Sequence, residues 1–241
     1  IVPSNCEHHV YPKVFTKPLA VAFSLPTELL NVQCSVSGVG TLEIDWGDNS
    51  DTEVVTLSDK PQLLKHIFDN KVRKRRRIRW FTDAYFKQVD WSGLQPNSVV
   101  ILRPLPIEEL TIKDAILTLD SLQMVTGTYS LDLSGLTSGN LKPLVECREL
   151  MTLNLTDARI KPTVLDEWLI AIVERYGNRR NCKVTLTAVP TGIYQEPVRN
   201  ADTGRYNITS GMEAIWVITH EESWNEGGKW EFIINDKEYS V

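Results

Sequence analysis

The sequence is short of the residue patterns that usually announce chemistry. Its four cysteines, Cys6, Cys34, Cys147 and Cys182, form no C-x-x-C pair, which removes zinc-knuckle and thioredoxin-like readings. There is no G-x-S-x-G elbow, no H-E-x-x-H, no P-loop and no G-x-G-x-x-G following a strand, so the common hydrolase, metalloprotease and nucleotide-binding signatures are missing. No run approaches the roughly 20 apolar residues that span a bilayer, and no membrane insertion is expected. Two readings of the cysteines stay open: a Cys6–Cys34 disulfide in an oxidising medium, or buried free thiols. The chain opens at Ile1 rather than Met, which leaves room for an upstream segment.

What is there is ordinary globular material, 241 residues with 42% apolar and 24% charged side chains, enough for two modest cores or one large β fold. Residues 1–82 hold short segments rich in Val, Leu, Ile and aromatics, among them KPLAVAFSL, LLNVQCSVSG, GTLEIDWG and DTEVVTLS, separated by Pro, Gly, Asn and Asp. That texture, with Val32, Cys34 and Val36 alternating against Asn31, Gln33 and Ser35, predicts a β-sandwich with one wet face per sheet.

From about residue 83 to 190 the texture becomes a quasi-repeat of Leu-x-Leu triplets, turns and returns. From Leu110 to Leu131, Leu153 and Val184 the intervals are 21, 22 and 31 residues, lengths that fit the strand, turn and return of a solenoid coil. The longest unit carries a helix over 161–176, started near Pro162 and Thr163. Its face is Leu165, Trp168, Leu169, Ile172 and Val173, and Gly177–Asn178 form its stop. Residues 191–241 contain EAIWVITH and KWEFIIND, which predict a capping β-hairpin with a Gly-Gly turn.

EIDWGDNS followed by His66-Ile67-Phe68 resembles the PKD-like domain, an immunoglobulin-like sandwich with Trp-Gly-Asp-Gly at one strand end and His-x-Tyr or His-x-Phe on a later strand. The resemblance implies a structural turn built from Trp46, Gly47, Asp48 and His66. Asn49 stands where that family has Gly, and DNKVRKRRRIRW replaces the usual Pro-Gly-x-Tyr-x-Val. Residues 100–190 resemble irregular leucine-rich repeats of bacterial surface and phage tail proteins. This architecture, with the ending PTGIYQEP…EAIWVITHEESWNEGGKWEFIIND, is similar to tail-fibre and other virion proteins of bacteriophages.

Several features compete as sites. Asp45, Asp48 and Asp51 crowd one turn, but an EF-hand counted from Asp45 would place Ser50 and Thr56 where Gly and Glu are required; a structural turn is the reading, and no metal is expected. Residues 71–79 carry seven positive charges in nine positions, and without them 19 basic residues face 31 acidic, a balance of −12. As a strand this run puts Val72, Lys74, Arg76, Ile78 and Trp80 on one face and Arg73, Arg75, Arg77 and Arg79 on the other. An edge strand protected by charge is one reading. Docking of an acidic partner through Arg73, Arg75, Arg76, Arg77 and Arg79 is the other. Without interleaved aromatics or a recognition helix, nucleic acid is not an expected partner.

His8–His9 reads as a solvated arm. Trp216 reads as core, and Trp224 as either a packing residue or a platform for a glycan. Glu221, Glu222 and Glu226 read as solvated turn residues.

The expectation is a mainly β chain with minor α: a PKD-like β-sandwich, then a short leucine-rich-repeat-like solenoid with a C-terminal β-hairpin cap. It is expected to be non-enzymatic, without cofactors, acting in a phage tail or fibre through other virion proteins, as a homo-oligomer or multi-copy assembly, and through a host-surface glycan or protein receptor. The alternatives are a bacterial cell-surface adhesin of the same architecture, located at the cell surface or outside the cell, and a carbohydrate-active enzyme using Glu222 or Glu226.

Overall fold

Apolar and polar residues alternate along the first strands, and this sets their faces. A computed structural model describes residues 12–69 and 76–241; Cys6, His8, His9, Arg73 and Arg75 lie outside the described residues. In β2 (Asn31–Val39) Val32, Cys34 and Val36 are buried while Asn31 and Gln33 are exposed. The other strands of this half are β1 (Leu19–Leu25), β3 (Thr41–Asp45), β4 (Glu53–Thr56), β5 (Gln62–Ile67), β6 (Arg76–Thr82), β7 (Tyr85–Asp90) and β8 (Ser98–Ile101). One antiparallel sheet runs β4-β3-β6-β1-β8, and β7-β2-β5 belong to a second. Between the two sheets Phe23, Trp80, Phe86 and Trp91 interlock, with Phe23 5.4 Å from Trp80 and 5.0 Å from Trp91, both edge to face. Such pairs add about 0.5–1.5 kcal/mol each to their burial.

The second sheet does not stop at β7. On the other side of that strand lies β9 (Leu105–Thr111), parallel to it, followed by β11 (Ser130–Asp132), β12 (Thr152–Leu155), β13 (Lys183–Leu186) and β14 (Glu231–Ile234), all parallel. A short β10 (Val125–Thr126) pairs with β9, and β15 (Lys237–Tyr239) closes the far edge antiparallel to β14. The chain is therefore mainly β with a minor helical part, in two sheets. Leu110, Leu131, Leu153 and Val184, the anchors of the sequence repeat, are direct register partners, and the row extends to Val89 at one end and Phe232 at the other. All six are buried, each contributing on the order of 1.5–3 kcal/mol.

The turn after each strand repeats as well. Asp90, Asp132 and Asn154 each accept, through Oδ1, the backbone N–H two residues on, from Ser92, Ser134 and Thr156, which are Asx turns. Asp114, Gly135 and Asp157 then take positive φ at matching places. At Gly135 a Cβ would lie 2.1 Å from Asp114 Oδ1, so a side chain there would have to displace that carboxylate, and glycine is favoured.

Residues 83–101 correct the expected division at 82/83. The hexapeptide VDWSGL at 89–94 matches LDLSGL at 131–136, so the repeat begins inside the sandwich, and the chain then returns to the first sheet as β8. Trp91 occupies the place that Leu133 and Leu155 hold at the ends of later strands of the second sheet, and its bulk reaches the core between the two sheets. Of the basic run read as an edge strand, residues 71–75 lie outside the described residues; in β6, Arg76, Arg77 and Ile78 pair with β1, and from Arg79 onward the strand is also paired with β3.

The last fifty residues depart furthest from expectation. EAIWVITH is not a strand but the body of α2 (Gly211–His220). Ser210 caps it by accepting from Glu213 N–H at 3.4 Å, while the Glu213 carboxylate accepts from Thr209 N–H at 2.8 Å, a variant of the capping box. The hairpin lies later, between β14 and β15, and turns on Asn235 and Asp236 at φ 48° and 65°, the geometry of a two-residue turn that suits a hairpin's twist.

The expected helix forms as α1 (Pro162–Glu174), with Pro162 in its first turn and Leu165, Trp168, Leu169 and Ile172 buried. It packs on α2, and its Asp166 accepts from Thr191 N–H at 2.9 Å and Gly211 N–H at 3.0 Å. A short α3 (Glu222–Asn225) follows α2.

Candidate functional site

The structure brings Trp46, Gly47, Asp48 and His66 into one corner. Gly47 turns the chain at φ 79°, where a Cβ would stand 2.1 Å from the Arg77 carbonyl oxygen. This lets Trp46 enter the core at 1% exposure. Its ring stacks on His66 at 4.6 Å and 6°, and its Nε1–H donates to Glu53 at 2.9 Å. His66 Nε2 lies 2.7 Å from Asp48 Oδ2, and Asp48 Oδ1 accepts from Ser50 N–H at 3.1 Å. Burial alone would push the Asp48 pKa up, but the hydrogen bonds from Ser50 and His66 outweigh it and hold the carboxyl below its ordinary value.

The three aspartates do not converge. Asp45, 2% exposed, is held by Lys13 Nζ at 2.7 Å and Arg79 Nε at 3.1 Å, while Asp48 turns to Ser50 and His66 and Asp51 is exposed. Asp45 and Asp48 are each committed to their own partners.

The described arginines of the basic run have three different fates. Arg76, expected at the surface, is 5% exposed and lies over the Phe68 ring at 4.4 Å, because its position in β6 faces inward with Ile78 and Trp80. Its guanidinium is therefore turned away from the surface on which docking was expected. Arg79 is outward but engaged by Asp45. Arg77 is outward and exposed. Beside them Phe15 stacks on Phe81 at 3.6 Å, and Thr16 N–H donates to Glu43 at 2.9 Å, so residues 13–17 lie over part of this face.

Trp224 lies at the other end of the molecule and is half-buried. Tyr176 stacks on it at 3.7 Å and 4°, and the Trp224 carbonyl accepts from Asn181 Nδ2 at 2.6 Å. Two clefts meet at this indole. One of about 580 Å³ is lined by Tyr176, Asn178, Arg179 and Trp224. The other, of about 760 Å³, runs between α1, α2 and residues 205–209, and Trp224 lines it while Tyr176 does not. Sequence reasoning singled out Trp224 but missed this second cleft, because EAIWVITH read as a strand; the Ser210–Glu213 spacing was the available signal. Trp216, read as core, is instead half-buried and stacks on His220 at 4.1 Å.

Of the three glutamates near Trp224, Glu221 lines the larger cleft, while Glu222 and Glu226 are exposed and line neither. Cys34, Cys147 and Cys182 are free thiols, with Cys34 and Cys182 buried; the Cys6 of the expected pairing lies outside the described residues. Burial pushes all three thiols up, Cys147 to about 11 and Cys182 to about 12, so none is poised as a nucleophile.

Comparisons of the chain with protein-family models, with curated proteins and with solved structures give no match in any of the three.

Proposed function

We propose that the chain is a non-enzymatic structural and adhesive component of a bacteriophage virion, in the tail or fibre. In this reading a PKD-like sandwich is followed by a short leucine-rich-repeat-like solenoid, and the work is done by surfaces. The observation that carries it is the strand β7, hydrogen-bonded to the sandwich through β2 and to the repeat array through β9. One rigid piece with differently composed ends suits a part that holds a neighbour at one end and presents a surface at the other. High thiol pKa values and the separate engagement of Asp45 and Asp48 fit a role without turnover.

Arg77 is the described docking residue for an acidic neighbour in the assembly, with Arg73 and Arg75 as its sequence companions. Several copies per particle are expected, since assemblies of this kind are commonly symmetric.

Gold labelling with an antibody against the chain, applied to intact cells and to released particles, tests the reading. Label on particles, at tail tip or shaft, is the expected result. Label confined to cell envelopes overturns the virion assignment and leaves a surface adhesin of the same architecture.

A further inference from the structure

The larger cleft has walls of two kinds. Ile170, Val173, Ile208 and Val217 give it an apolar floor, and Trp224 adds an aromatic surface. Tyr176 covers one face of the Trp224 indole and does not line this cleft, whereas Trp224 does. Its volume of about 760 Å³ falls within the roughly 300–1,000 Å³ usual for small-molecule sites.

The rim is polar and mixed in sign. Glu174, Arg205, Asn207 and Glu221 all line it. Among the described residues the side chains of Glu174, Arg205 and Asn207 make no hydrogen bond or ion pair within the protein, so their donors and acceptors are free to meet a ligand. A cation would be repelled by Arg205, and an anion by the two glutamates. A neutral polyhydroxylated ring satisfies both: its hydroxyls donate to carboxylates and accept from guanidinium and amide, and its C–H face lies on an indole.

We propose that this cleft is a saccharide subsite, stacking a neutral pyranose on Trp224 and bonding its hydroxyls with Glu174, Asn207 and Arg205. It deepens, and rests on, the adhesive reading of the chain. The site lies on the helical side of the repeat array, where α1 and α2 pack together.

The test is saturation-transfer NMR and tryptophan fluorescence on the whole chain, with methyl glycosides of glucose, galactose, mannose and rhamnose and with N-acetylglucosamine. At least one probe is expected to bind at millimolar concentration. Glu174→Gln and Asn207→Ala, both at exposed positions, should each weaken it by about tenfold, and Trp224→Ala should abolish it. If Trp224→Ala perturbs the fold, the two rim variants decide. The proposal is overturned if no probe binds, if both rim variants bind as tightly as the parent, or if a lysine oligomer occupies the cleft in place of a sugar. Particle labelling without saccharide binding removes the subsite and leaves the virion reading; saccharide binding without particle labelling does the reverse.

Discussion

Each end of the molecule holds a tryptophan stacked on a flat ring, Trp46 on His66 and Trp224 on Tyr176. At the first, the indole is 1% exposed, its N–H is bonded to Glu53, and the neighbouring Asp48 is bonded to His66. At the second, the indole is half-buried between two clefts, and the side chains of nearby Glu174, Arg205 and Asn207 have no hydrogen-bond or ion-pair partner among the described residues. The stacked pair is common to both. What separates a packing corner from a candidate binding surface is whether the surrounding polar groups are already spent.

The largest effect that would break this comparison comes from truncation at the buried end. Trp46→Ala should cost about 3–5 kcal/mol, read as a fall in urea midpoint at unchanged slope, whereas Trp224→Ala should cost less than half as much because that side chain is only half-buried. Equal losses would remove the distinction. Next comes Gly47→Ala, expected to cost about 1–3 kcal/mol, since the new Cβ meets the Arg77 carbonyl at φ 79°. A neutral result in thermal unfolding would show that the corner can relax.

Acid should destabilise with a smaller effect. The carboxyls of Glu43, Asp45 and Asp48 all sit below their ordinary pKa values. In each case burial pulls upward and hydrogen bonds outweigh it. Groups with a depressed folded pKa contribute stability above the unfolded value, about 4, that is lost as pH falls through the folded value. Stability should therefore drop below about pH 4, and Asp48→Asn should flatten part of that slope. A profile unchanged by Asp48→Asn would show that its bonds to Ser50 and His66 are replaced equally well by water. The smallest expected effect is at the rim: Glu174→Gln should leave the unfolding midpoint within about 0.5 kcal/mol of the parent.

Much of this layout was legible from patterns of local origin. The alternation in β2 predicted its faces, and the 21- and 22-residue intervals placed Leu110, Leu131 and Leu153 in one register row, because both follow from how a strand exposes its side chains. The start of the repeat at Val89 was hidden because Trp91 replaces the expected leucine for a tertiary reason, to fill the sandwich core. α2 was hidden by its β-branched Ile215, Val217, Ile218 and Thr219, whose weak helix preference yields to the cap at Ser210 and to packing on α1. The inward turn of Arg76 was readable from strand parity. That it would be tolerated in the interior, above Phe68, was not.

The strand common to both halves has a mechanical consequence. A flexible linker lets two modules swivel, but here the connection is a parallel hydrogen-bonded seam from Phe86 to Asp90 against Ile107 to Thr111, plugged by Trp91. A pull that separates the halves across the seam loads several backbone bonds at once, and a torque must shear the Trp91 contacts with Phe23 and Trp80. The orientation of the far cleft relative to the basic strand is thus set when the chain folds.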